Sequence, residues 1–143
     1  MEKQYVVFRL EGQIYGADIA VVREVNQLTR ITRLPNTPHY VDGVIDLRGE
    51  VMPVVNLRKR LGLMDVEPDK ETRVMILDLG QQSCALIVDG VDQVVTLSDE
   101  QIVPPDRRAT MVGQDYVVGV ARTGSDQLVI IMDLVKLMDP AFA

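Results

Sequence analysis

Short apolar segments separated by glycine- and proline-bearing breaks run along the whole chain, and most are rich in β-branched and aromatic residues, a strand pattern rather than a helical one. Gln4 to Leu10 reads as a strand, Glu11-Gly12 as a turn and Gln13 to Ala17 as the return, a predicted hairpin. An apolar run from Ile19 to Val25 follows, and Pro35 and Pro38 mark an irregular crossing from Leu34 to His39. Val41 to Leu47 and Val51 to Val55 flank Arg48-Gly49-Glu50, where glycine can take the positive φ of a tight turn. Asn56 suits the N-cap of a short helix from Leu57 to Leu61, and Gly62 suits its end. Beyond a charged, proline-bearing stretch, Arg73 to Leu79, Ser83 to Val88 and Val91 to Leu97 are three more predicted strands. Tyr116 to Ala121 and Leu128 to Met132 form a last hairpin around Thr123-Gly124-Ser125, and Asp133 caps a final helix through Met138 that Pro140 stops.

The second half echoes the first. Leu10-Glu11-Gly12-Gln13 superposes on Asp78-Leu79-Gly80-Gln81, with Ala17 on Ala85 and Ile19 on Ile87. Val54-Val55-Asn56-Leu57 superposes on Ile131-Met132-Asp133-Leu134, and Gly43-Val44 on Gly119-Val120. The expectation is an all-β fold of two related units, small barrels or a sandwich, because no long amphipathic helix is available to cross between strands of a doubly wound sheet. Asp65 to Glu71 reads as the linker, which sets approximate subdomains 14–66 and 67–143. The N-terminal strand is expected to cross between them, with the C-terminal helix a second candidate to do so.

Composition narrows the function. The 143 residues are 47% hydrophobic and 25% charged, enough for a packed core in one compact domain or two very small ones. No apolar stretch approaches a membrane span, and the start at Glu2-Lys3 does not read as a signal peptide, so a cytoplasmic location without direct membrane insertion is expected. A net charge of -6 opposes binding to nucleic acid, and the basic cluster Arg58-Lys59-Arg60 lacks aromatic stacking platforms and reads as a solvated helix face.

Candidate chemistry is sparse. Cys84, in CALIV, reads as a buried thiol, and the single histidine, His39, follows Pro38 in a loop. No phosphate-binding or nucleophile-elbow motif is present. Asp89 and Asp92 bracket a glycine, a surface turn rather than a calcium loop, and one cysteine with one histidine cannot complete a zinc shell. No catalytic residue, metal or cofactor is expected. A ligand-binding or hydrolytic barrel using Asp89, Asp92 and His39 is the reading from a different class. What remains is a chain that works by presenting surface. Val41 to Leu47 carries apolar groups on successive positions, which fits either a partner face or burial of both parities.

Val41 to Leu61, VDGVIDLRGEVMPVVNLRKRL, resembles the signature of the CheW family: a glycine-led strand, an L-R-G turn, a V-x-P-V-V strand and a capped helix. The resemblance extends through VVREVNQLTRITRLPNTP (Val21 to Pro38), DLGQQSCALIVDGVDQVVTLSDEQIVPPD (Asp78 to Asp106) and the closing hairpin. It implies two intertwined five-stranded SH3-like barrels with short capping helices. It also implies a non-enzymatic adaptor that joins the regulatory domain of the CheA histidine kinase to the cytoplasmic tip of chemoreceptors, held near the membrane through receptor arrays. A related kinase array with another output is the second adaptor reading. By the same resemblance Arg48 and Gly49 in the LRG turn, with Val22 and Glu24 in VVREV, are partner-binding positions. Val44, Ile45 and Val88 are expected to line an apolar groove for the receptor helices, and exposed residues around Val54 to meet the kinase.

Overall fold

The computed structural model describes residues 1–104 and 116–138. Among the described residues, eleven strands and two short α-helices follow in order: β1 Glu2–Leu10, β2 Gln13–Asp18, β3 Val22–Gln27, β4 Val41–Leu47, β5 Glu50–Asn56, α1 Leu57–Arg60, β6 Arg73–Asp78, β7 Ser83–Val88, β8 Gly90–Ser98, β9 Ile102–Val103, β10 Val117–Arg122, β11 Leu128–Met132 and α2 Leu134–Met138. They form two sheets, ordered β8-β1-β2-β11-β10-β9 and β3-β6-β7-β5-β4. The fold is all-β, as expected. The stop expected at Pro140 lies outside the described residues.

The two sheets have one plan. In each, an antiparallel hairpin (β1–β2, β6–β7) joins a second antiparallel hairpin (β10–β11, β4–β5) through a parallel pair, β2 with β11 and β7 with β5. The strand that follows each first hairpin leaves its own sheet: β3 follows β2 but pairs with β6, and β8 follows β7 but pairs with β1. The first sheet counts six strands rather than five because β9 forms a two-residue ladder on β10. Its counterpart in the second sheet is a single bridge, Thr32 to Val44, which returns the chain after β3 to the far edge at β4.

The duplication is real, but its register in the first hairpin differs from the sequence match. Leu10 pairs with Gln13 across the Glu11-Gly12 turn, and Leu79 pairs with Gln82 across Gly80-Gln81. Gly16 pairs with Ile131, and Ala85 with Val54. The equivalent positions are thus Leu10 with Leu79 and Gly16 with Ala85, one residue away from the alignment of Gly12 on Gly80. The glycines misled because each turn places its glycine differently, second in Glu11-Gly12 and first in Gly80-Gln81. A one-residue slip matters, since it exchanges the two faces of a strand.

The compact units are Met1–Val21 with Asp92–Ala143, and Val22–Val91. The division expected at 66/67 therefore falls inside the second unit. The parallel pairing of β5 with β7 ties both sides of the Asp65–Glu71 stretch into one sheet, which makes that stretch a loop between α1 and β6. The first unit packs around Tyr5, Leu97, Ala121, Val129 and Ile131, the second around Ile45, Met52, Val54, Val74, Ile76 and Ala85. β1 and β6 each bury four successive residues, Tyr5 to Phe8 and Val74 to Leu77, which accounts for their unbroken apolar runs.

Glycine is required at equivalent places in the two units. A Cβ on Gly43 would overlap the carbonyl of Thr32, and one on Gly119 the carbonyl of Val103. Each lies beside a register shift, between Val41 and Gly43 and between Val117 and Gly119, where the neighbouring segment comes close enough to bond. The helices also begin alike. Asn56 N–H donates to Tyr40 O (2.8 Å) and Asp133 N–H to Tyr116 O (2.7 Å), while each side-chain Oδ1 accepts from the residue three positions on, Lys59 N (3.2 Å) or Lys136 N (3.0 Å).

The basic cluster on α1 is not a solvated face. Arg58 forms a two-pronged contact with Asp89 (2.9 and 2.6 Å), Lys59 Nζ lies 2.8 Å from Asp42 Oδ1, and the Arg60 guanidinium sits over the Tyr40 ring at 5.6 Å. Two of the three cations thus turn to carboxylates and the third to an aromatic face.

Candidate partner-binding site

Leu47 and Glu50 close the β4–β5 hairpin around Arg48-Gly49. Both turn residues have positive φ, 50° and 90°, the left-handed pair whose twist suits a two-residue hairpin. Gly49 takes this conformation freely, whereas Arg48 does so at a cost of ~1 kcal/mol. The turn is held by Gly49 N–H donating to Asp46 Oδ1 at 2.8 Å.

This strained placement aims Arg48 at β3. Its Nη2 lies 2.6 Å from Glu24 Oε2, and Asn26 Nδ2 donates to Glu24 Oε1 at 3.1 Å. The hydrogen bond from Arg48, then that from Asn26, and after them the charges of Arg48 and Arg23 hold the Glu24 carboxyl below the usual carboxylate range. A second pair crosses the first: Arg23 of β3 reaches Glu50 at the start of β5 (3.1 and 3.3 Å) and also Ser83 Oγ (2.7 Å). Strand and turn thus exchange an arginine and a glutamate each. Arg48 remains 67% exposed, and Val51 and Val25 stand exposed on the same two strands.

The structure brings together Arg48, Gly49 and Glu24 of the predicted set, with Val22 on the same strand β3 and half-buried. Val44 is half-buried on β4. Ile45, Val54 and Val88 correct the expectation: all three are buried, and Ile45 and Val54 lie in the core of their unit. They face inward because the β4–β5 register turns Ile45 and Val54 toward β6 and β7, and β7 is covered on both faces; none offers contact surface. Arg23, Asn26, Glu50 and Ser83 were missed. Arg23 and Glu50 had a signal, since each lies beside a predicted site residue in the sequence, but their pairing spans strands that only the folded sheet brings together.

The candidate chemical groups are otherwise engaged. Cys84 is buried, and desolvation pushes its thiol up to about 12, which leaves no thiolate at neutral pH. Asp89 is gripped by Arg58, Asp92 accepts from Arg9 Nε at 2.9 Å, and His39 stands edge-on to Tyr40. Among the described residues, no group of three or more His, Cys, Asp or Glu side chains is placed to hold a metal ion. No helix among them is long and apolar enough to cross a membrane.

The model of the CheW-like domain family matches residues 4–141. The chain belongs to the CheW-like family. Among its relatives, the chemotaxis protein CheW of Klebsiella aerogenes is 34% identical over 136 residues, covering 95% of this chain and 81% of that protein. CheW of Treponema pallidum is 32% identical over 138 residues, covering 94% and 81%. The crystal structure of the scaffolding protein TtCheW from Thermoanaerobacter tengcongensis superposes with a TM-score of 0.87 at 37% identity, covering 97% of this chain and 94% of that one. The all-β plan of exchanged strands is therefore a CheW-like fold.

Proposed function

We propose that this CheW-like chain is a non-enzymatic chemotaxis scaffold that couples chemoreceptors to a CheA-type histidine kinase. The carrying observation is the full-length agreement, in family, relatives and fold, with proteins named for chemotaxis and scaffolding. The partners are the kinase's regulatory domain and the cytoplasmic tip of a chemoreceptor, and the chain works in the cytoplasm, associated with the membrane through the receptor array.

The crossed ion pairs supply a physical route to reversible docking. An exposed arginine–glutamate pair contributes little to stability, about 0–1 kcal/mol, so a partner carboxylate can take over the Arg48 fork at small cost. Glu24, once released, keeps its bond from Asn26. Exposed Val25 and Val51 add apolar area on β3 and β5, and Val22 and Val44 are half-buried on β3 and β4.

A pull-down with the regulatory domain of the co-encoded kinase, with and without a receptor-tip fragment, tests this reading. Capture of both partners, with a selective loss for Arg48→Glu, is expected. Capture of neither by a folded wild-type protein overturns it.

A further inference from the structure

The loop after α1 is held down by charge rather than by packing. Arg58 Nη1 donates to Met64 O (3.0 Å), Asn56 Nδ2 to Asp65 Oδ1 (3.1 Å), and Lys59 Nζ stands 3.8 Å from Asp65 Oδ2. Leu63 still belongs to the helix end, half-buried and with its N–H donating to Arg58 O (2.7 Å), but beyond it the apolar side chains contribute no anchor, since Met64 and Val66 are 81% and 51% exposed. Together with Glu67 and Pro68 the loop walls a cavity of about 190 Å³, whose other walls carry the charged groups of Asp42, Arg58, Lys59 and Asp89 and whose apolar floor is Leu28, Ile31 and Ile87. Those three pack on the core of the second unit and are only partly buried.

The cations that hold Asp65 have a second carboxylate. Lys59 Nζ lies 2.8 Å from Asp42 Oδ1, nearer than Asp65, and Asn56 Nδ2 also reaches Asp42 Oδ2 at 3.3 Å. Departure of Asp65 therefore leaves neither Lys59 nor Asn56 without a partner, and the half-exposed Asp65 regains water. Opening thus carries no penalty of a buried unpaired charge, the term that ordinarily locks such contacts. We infer that residues 64–68 form a charge-held strap that opens as a local unit and uncovers a cleft with charged walls and an apolar floor of Leu28, Ile31 and Ile87.

Limited digestion of the full chain with a glutamate-specific protease tests the strap. Cleavage at Glu67 is scored against cleavage at Glu11, in the β1–β2 turn, so that changes in protease activity cancel. Raising salt from about 10 mM to about 1 M, which shortens the Debye length from ~30 Å to ~3 Å, is expected to raise the Glu67/Glu11 ratio several-fold. Asp65→Asn is expected to show the raised ratio already at low salt, with little further response. It should also bind more of an apolar fluorescent dye than the wild type. Lys59→Met, if it folds, should behave like Asp65→Asn. A ratio unmoved by salt and by Asp65→Asn overturns the strap. A raised ratio without added dye binding overturns the uncovered cleft, and a ratio that rises only together with global unfolding overturns local opening.

Discussion

Gly43 lies under the carbonyl of Thr32, with its φ at 145° and no room for a Cβ, at the bridge where the segment after β3 reaches the far edge of its sheet. Gly119 stands in the same relation to Val103. Alanine at either position must push the neighbouring backbone away or abandon the bridge. Gly43→Ala and Gly119→Ala are each expected to cost about 2–4 kcal/mol in urea unfolding, whereas Gly124→Ala, with open space around it, should fall within about 0.5 kcal/mol of wild type.

The equivalent helix caps predict unequal outcomes for equivalent substitutions. Asn and Asp cap about equally well, so Asp133→Asn should change stability by under about 0.5 kcal/mol. Asn56→Asp keeps the cap but loses both Nδ2 bonds and sets a carboxylate beside Asp42 and Asp65 in a mostly buried site. It should cost about 1–3 kcal/mol, read by the same unfolding series.

Arg48→Glu separates binding from folding. The broken pair is exposed, so stability should drop by under about 1 kcal/mol in chemical denaturation. Partner capture, in contrast, should fall at least tenfold by titration if the fork engages a desolvated carboxylate. A variant as unstable as it is weak in binding would mark Arg48 as a structural residue only.

The depressed Glu24 carboxyl can be followed directly. A folded-state pKa below the unfolded one means that the Glu24 interactions support the fold above the unfolded pKa, near 4.5, and fade as pH falls through the lowered value. In a carboxyl NMR titration, Glu24 should titrate below the ordinary glutamate range in the wild type and move back upward in Arg48→Gln, because the largest cause of the shift is removed.

Cys84 should not react with a thiol reagent at pH 8 in the folded protein and should react fully once urea unfolds it. Its thiol is raised from 9.0 to about 12, so the fold keeps this contribution below pH 9 and loses it progressively as pH rises above that. Fast native-state labelling would show that β7 opens locally.

Local patterns determined much of this protein. β-Branched runs and turn glycines marked most of the strands, Asn56 and Asp133 announced the two helix caps, the Gly43 and Gly119 echoes aligned correctly, and the LRG turn carried the family resemblance with Arg48 and Glu24. These signals act over a few residues, through backbone sterics and nearby hydrogen bonds, so they survive in one dimension. Tertiary structure decided the rest. It set which positions of the two first hairpins are equivalent, Leu10 with Leu79, because either turn residue can be the glycine. It exchanged β3 and β8 between sheets and turned the presumed linker into a loop, because the parallel β5–β7 pairing joins residues on either side of it. It buried Ile45, Val54 and Val88, and crossed Arg23–Glu50 with Arg48–Glu24. An apolar or charged residue has the same local signature whether it faces core, solvent or partner, and only long-range pairing chooses among them.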